Sequence, residues 1–202
     1  MESVALLILP NTTFIPRGGF DYIGVDRGSI VAFKNNLKCA FCIGDFDSCD
    51  EEELSLIRDN CDDVITLNKV KDDTDSEAAI LECLKRNYEE IWILDNGAKR
   101  IDHSIVNLRL VYKYPLKVFL INDNNRVFAL DEGDYTIAKS NYSYLSLFAH
   151  DEVCLSLEGV KYPLDNVTLT NDDIYTISNE IEGELADISV RDGRILIIQS
   201  KD

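Results

Sequence analysis

The feature that most constrains this chain is an alternation that stops partway. Short apolar runs at residues 4–9, 22–25, 39–43, 64–67, 91–94 and 117–121 are separated, for the most part, by segments of helical period near 29–36, 50–60, 75–87 and 103–112. Strands that are apolar on both faces and alternate with helices predict a mostly parallel sheet flanked by helices, an α/β domain. After Asn122-Asp123-Asn124-Asn125 no stretch keeps a helical period for ten residues, and short β-rich runs recur at 126–130, 135–138, 144–148, 153–157, 167–169, 174–178, 185–190 and 194–199. Turn clusters such as Asp131-Glu132-Gly133-Asp134 and Asn171-Asp172-Asp173 separate them, and Asp192-Gly193 between two of the runs predicts a hairpin. The expected architecture is an α/β domain over 1–125 followed by an all-β sandwich over 126–202.

Charge narrows the classes of partner. The chain of 202 residues carries 20 Lys and Arg against 37 Asp and Glu, a formal charge of −17. Such a field repels nucleic acid and anionic membrane surfaces, so neither is expected as a partner. A nucleotide is also repelled unless a divalent cation or local Arg, Lys and N–H groups receive it. The segment before residue 126 holds 14 of the basic residues and is favoured for any anionic ligand. The run at 4–9 is too short to span a bilayer and lacks a basic flank, which predicts a cytoplasmic chain. Six scattered cysteines without a dense framework predict reduced thiols, with Cys39-Ala40-Phe41-Cys42 in a buried strand and not a zinc or redox site.

Three loops after predicted strands carry the chemistry-bearing residues. In Gly44-Asp45-Phe46-Asp47-Ser48, two carboxylates one residue apart can share a hard cation that keeps waters and bridges phosphate oxygens. Ser48 with Glu51 fits a capping box, and a plain acidic turn is the alternative reading. Lys71-Asp72-Asp73-Thr74-Asp75-Ser76-Glu77 repeats the arrangement, with Thr74 and Glu77 box-like and Lys71 available to a phosphate. Either loop alone reads as a capped helix start; two at equivalent strand ends point to metal-assisted chemistry. The third, Asp95-Asn96-Gly97-Ala98-Lys99-Arg100-Ile101-Asp102-His103, offers an adjacent Lys99-Arg100 pair to a polyphosphate and Asp102 to metal or adenosine. Here the alternatives are an Asp102 N-cap and a surface ion pair. Neither a dinucleotide fingerprint nor a P-loop is present.

Val25-Asp26-Arg27-Gly28, Gly44-Asp45-Phe46-Asp47-Ser48, Lys71-Asp72 with Thr74-Asp75, Glu77 and Ala79, and Arg100 with Asp102-His103 and Asn107 resemble, in order and spacing, the successive motifs of bacterial thiamin pyrophosphokinases. Gly159-Val160-Lys161-Tyr162-Pro163-Leu164, Ser178-Asn179-Glu180 and Gly193-Arg194-Ile195-Leu196-Ile197 resemble that family's β-domain.

The resemblance implies an ATP-binding catalytic α/β domain and a thiamin-binding β-sandwich. The implied reaction moves a diphosphoryl group from ATP to the hydroxyl of thiamin, giving thiamin diphosphate and AMP. By that pattern Asp45, Asp47, Asp72 and Asp75 form the Mg²⁺ and catalytic cluster. Asp26, Arg27, Gly28, Lys71, Arg100 and Asp102 address ATP, and Ser178 and Asn179 hold thiamin at a homodimer interface. The chain departs from the pattern at Ala98-Lys99, where the family commonly has Gly-Gly before the Arg, and Lys99 offers a charge contact in compensation. Two rival readings are another Mg-dependent nucleotide-using transferase, which would release pyrophosphate if it transferred the nucleotidyl group, and a non-catalytic thiamin-binding dimer.

Overall fold

A computed structural model of the chain describes residues 3–68, 74–96 and 100–202. The chain divides into two compact units, Met1–Leu110 and Val111–Asp202. The division falls upstream of the change in pattern at Asn125. Asn122-Asp123-Asn124-Asn125 is a turn inside the second unit: Asn122 Oδ1 accepts from the backbone N–H groups of Asn124 (3.0 Å) and Asn125 (2.8 Å) between two paired strands.

The first unit is a parallel sheet with crossover helices. Its strands are β1 (Val4–Ile8), β2 (Asp21–Val25), β3 (Cys39–Gly44), β4 (Val64–Thr66) and β5 (Glu90–Leu94), in the spatial order β4-β3-β2-β1-β5. The helices are α1 (Gly28–Lys34), α2 (Glu51–Asn60), α3 (Asp75–Lys85) and α4 (Ile101–Lys113). Ala5 to Ile8, Ile23, Phe41, Ile91, Ile93 and Leu94 are fully buried, as expected of strands covered on both faces. Parallel pairing puts the loops after β2, β3, β4 and β5 at one edge, the carboxyl edge of the sheet. The order reverses direction between β1 and β5, the topological switch point.

The second unit is all antiparallel. Strands β6 (Val118–Ile121), β7 (Asn125–Leu130), β13 (Ile195–Ser200) and β9 (Tyr144–Ala149) pair in that order, and β11 (Leu164–Leu169), β10 (Val153–Glu158), β12 (Leu185–Asp192) and β8 (Gly133–Ala138) form a second sheet. Alternate residues of β10 and β12 are buried, Val153, Leu155 and Leu157 among them, as one-sided strands require.

Two local expectations are corrected. The Asp192-Gly193 turn is not a hairpin: β12 pairs with β10 and β8 while β13 pairs with β7 and β9, so the turn carries the chain from one sheet to the other. Residues 174–178 are not a strand. They run along β9, with Leu147 N–H donating to Thr176 O (2.8 Å) and Thr176 Oγ1 donating back to Leu147 O (2.7 Å). Ser178 then turns through φ 55°, in the left-handed region, and only an isolated bridge between Asn179 and Leu145 follows it along β9. Among the described residues no helix is long and apolar enough to cross a membrane. All six cysteines are free, with Cys39, Cys42, Cys61 and Cys83 buried.

Candidate active site

Three loops at the carboxyl edge converge because glycine lets backbone approach backbone. A Cβ on Gly28 would lie 1.8 Å from Ile8 O, and one on Gly44 would lie 2.9 Å from Asp26 Cα. Asp26 turns through φ 50° and its N–H donates to Ile43 O (2.8 Å), which pins the end of β2 against the end of β3. Asp45 then sits beside Asp26 and accepts from Asp47 N–H (3.0 Å), an Asx turn that turns the chain toward α2.

Asp26, Asp45 and Asp75 share this edge. Burial is the largest influence on the Asp26 carboxyl and raises it above the ordinary carboxylate value; the neighbouring Asp75 and Asp45 charges raise it further. Ser48 Oγ donates to Asp26 Oδ2 (3.0 Å), whereas Asp26 Oδ1 is buried with no hydrogen-bond partner. A buried, unpaired carboxylate oxygen beside two further carboxylates is costly by itself and is suited to a cation. Asp47 is exposed on the next turn. Lys71 and Asp72, expected as site residues, lie outside the described residues, as does Ala98-Lys99.

The predicted Ser48–Glu51 capping box is also corrected. Asp50 caps α2, accepting from Glu53 N–H (2.9 Å) while Glu53 Oε2 accepts from Asp50 N–H (3.3 Å). Ser48 is thereby released to bond Asp26. Thr74 caps α3 as expected, accepting from Glu77 N–H at 3.2 Å. Arg27 pairs with Glu53 at 2.5 Å, and Arg100 pairs with Asp102 at 2.5 Å in an exposed position. Asp102 lies inside the first turn of α4 and is not its N-cap. Both guanidinium groups are on the solvent side of their pairs, where such pairs are worth little, so they can exchange partners for phosphate.

One buried polar group at this edge was not singled out from sequence. Asp95, directly after β5, is 2% exposed and accepts from Asn107 Nδ2 (2.9 Å) and Asn11 Nδ2 (3.0 Å). Next to it Thr12 Oγ1 donates to Leu94 O (2.7 Å), and Asn96 Oδ1 accepts from Thr13 N–H (2.9 Å). The available signal was Pro10-Asn11-Thr12 directly after an apolar strand, a turn whose polar side chains need partners.

In the second unit, Leu147, Leu157, Leu164, Tyr162, Tyr175 and Asn179 help line a cavity of about 320 Å³. Asn179 is buried, and its carboxamide is used by backbone: Oδ1 accepts from Tyr162 N–H (3.0 Å) and Glu180 N–H (2.9 Å), and Nδ2 donates to Tyr162 O (2.8 Å). Ser178 is exposed beside it, its N–H donating to Ser146 Oγ (2.9 Å). Tyr162, Tyr175 and Ile177 are each more than half exposed around the cavity.

Comparison with known proteins matches both units. Residues 21–128 fit the family model described as thiamin pyrophosphokinase, catalytic domain, and residues 134–195 fit thiamin pyrophosphokinase, vitamin B1 binding domain. The thiamine pyrophosphokinase of Bacillus subtilis (strain 168) is 32% identical over 187 residues, covering 90% of this chain and 87% of that protein. The crystal structure of thiamine pyrophosphokinase from Bacillus subtilis superposes with a TM-score of 0.88 at 28% identity over 100% of both chains. A thiamin pyrophosphokinase family protein from Enterococcus faecalis does so with 0.88 at 29% identity, again over 100% of both. With the acidic edge in one unit, the lined cavity in the other and both family models matched in order, the chain belongs to the thiamin pyrophosphokinase family.

Proposed function

We propose that the chain transfers a diphosphoryl group from ATP to the hydroxyl of thiamin, forming thiamin diphosphate and AMP. The observation that carries this reading is the placement of Asp26, Asp45 and Asp75 at one sheet edge, near enough for the Asp45 and Asp75 charges to act on Asp26, with the buried Asp26 Oδ1 lacking a hydrogen-bond partner. The donors there are all hard oxygens, which fits Mg²⁺. Among the described residues no three His, Cys, Asp or Glu side chains make a ready-made cage, and Mg²⁺ bound with ATP needs none, since it takes one or two carboxylates plus waters and phosphate oxygens. The carboxylates that would hold it are drawn from Asp45, Asp47, Asp72 and Asp75, and the ion would neutralise charge on the phosphates.

The chain's own residues do the rest. Arg27 and Arg100 leave Glu53 and Asp102 to meet phosphate oxygens, Lys71 adds a third cation, and Gly28, packed against Ile8 O, and Asp26 shape the backbone edge that the nucleotide meets. Asp102, once released, accepts from the nucleoside. The thiamin hydroxyl oxygen attacks the β-phosphorus in line, the bond from that phosphorus to the α-β bridging oxygen breaks, and AMP departs with that oxygen. A carboxylate of the Asp45, Asp47, Asp75 group takes the hydroxyl proton. Positioning and charge neutralisation supply most of the acceleration, as in phosphoryl transfer generally.

The cavity of the second unit suits the thiamin end. Its leucine wall and two tyrosines offer an apolar, aromatic surface to a cationic ring, and the exposed Ser178 lies in sequence between the lining residues Ile177 and Asn179. Asn179 acts there by holding the backbone at Tyr162 in place. Gln199 of β13 donates to Ala138 O of β8 at 2.8 Å, which supports reading the two antiparallel sheets as the layers of a sandwich. The exposed Tyr162, Ile174, Tyr175 and Ile177 support a homodimer in which the thiamin cavity of one subunit serves the acidic edge of its partner. Buried free thiols suit a reducing compartment, the cytoplasm.

Incubation with thiamin and MgATP, followed by mass analysis, tests the reaction. Thiamin diphosphate and AMP in equal amounts are expected. Release of pyrophosphate with a nucleotidylated product would transfer the assignment to a different transferase.

A further inference from the structure

The crevice between β1 and β5 is the switch point of the sheet, where α/β folds commonly place ligands. Here it is spanned by protein. Asn11 reaches across to Asp95, Thr12 to Leu94 O, and the backbone of Thr13 to Asn96. From the other side Asn107, one and a half turns after Asp102 on α4, donates to the remaining oxygen of Asp95.

A carboxylate at 2% exposure is an expensive way to fill space, because its desolvation is offset only by its hydrogen bonds. It accepts only, so two carboxamide N–H donors match it, and both bonds are charge-assisted. What the arrangement supplies is orientation. The bond to Asn107 restrains α4 about its own axis, and the first turn of that helix carries Asp102, with Arg100 directly before it.

We propose that Asp95 is a positioning residue: by accepting from Asn11 and Asn107 it locks α4 and the segment after β1 to the end of β5, and so sets how Arg100 and Asp102 meet ATP. This rests on the reading that those two residues address the nucleotide.

Exchange of the pair tests it. Asp95→Asn is isosteric yet sets an NH₂ against one of two NH₂ donors, and Asn107→Asp sets carboxylate against carboxylate. In the double variant Asp95→Asn with Asn107→Asp, residue 95 donates to residue 107 and still accepts from Asn11, so the bond to residue 107 is restored with reversed polarity and the bond from Asn11 is kept. Each single variant should weaken ATP binding, measured by calorimetry with MgATP, by about ten-fold or more, the usual scale for a lost bond to a charged group. The thiamin requirement should stay within about two-fold, and the double variant should return ATP binding to within about three-fold of the parent, as a coupled pair does.

Equal loss toward both substrates, or no recovery in the double variant, overturns the proposal. A double variant that does not fold overturns it too, since complementarity alone should then have sufficed. The parent chain separates the two claims. If it binds ATP yet forms no thiamin diphosphate, the proposed reaction fails and calorimetry alone judges the pair. If it binds no ATP, both fail.

Discussion

Asp26, Asp45 and Asp75 differ in what they do although all three are carboxylates at one sheet edge. Asp26 is anchored through its own N–H to Ile43 O and through Oδ2 to Ser48, and burial keeps its carboxyl above the ordinary value. Asp45 and Asp75 are half-buried, and in the proposed function they hold a cation between protein and phosphates. Their proposed contribution is to charge balance and not to core packing. Asp45→Asn and Asp75→Asn should therefore each lower turnover by about two orders of magnitude, the scale seen when a preorganised charge is removed from a transition state. Thermal unfolding should move little. Near-normal turnover at saturating Mg²⁺ would exclude that position from the metal site.

At the scale of elements, the start of α2 shows how local capping serves the site. Asp50 and Glu53 make both bonds of a capping box, and Glu53 also holds Arg27. That leaves Ser48, two residues before the cap, free to bond Asp26. Asp50→Ala removes the acceptor for Glu53 N–H and should cost about 1 kcal/mol of stability, the usual value for such a cap. Since Asp50 faces the helix and not the acidic cluster, kcat should be retained when folding is complete. Chemical unfolding together with turnover of the folded variant checks this, and a loss of kcat at full folding would show that the cap also sets the geometry of the β3–α2 loop.

For the whole molecule, a charge of −17 makes nucleotide binding depend on local cancellation, which in the proposed function comes from Arg27, Arg100 and a cation at the acidic edge. The second unit contributes an apolar, aromatic cavity in place of charge. If the two functions meet across a homodimer, subunits with complementary defects should rescue one another. Tyr175 is 62% exposed at the cavity, so Tyr175→Ala should raise the thiamin requirement with little effect on folding. Mixing it with Asp45→Asn should recover some activity, because each heterodimer then has one composite site with both parts intact. Absence of recovery in heterodimers verified by native mass measurement would place both parts of the site within one subunit.

Much of this protein is set by local pattern. Continuous apolar runs and period-3.6 segments specify the strands and helices of the first unit, since burial on both faces of a parallel sheet leaves an apolar signature within each strand. The acidic loops follow from their place after those strands, and the change to short β runs announces the second unit. Partner choice needed the tertiary structure. Ser48 and Asp50 are both competent caps by residue type, and only the closeness of Asp26 across β2 and β3 assigns Ser48 to the carboxylate. Residues 174–178 have β composition, yet Ser178 in the left-handed region and isolated bonding to β9 keep them outside the sheet. Asp192-Gly193 has hairpin chemistry, but pairing of β12 and β13 with different neighbours makes it a passage between sheets. Asp95 reads as one more loop carboxylate until Asn11 and Asn107, distant in sequence, bury it. Propensity acts over three or four residues, whereas hydrogen-bond satisfaction of a buried group is decided by whatever the fold brings beside it.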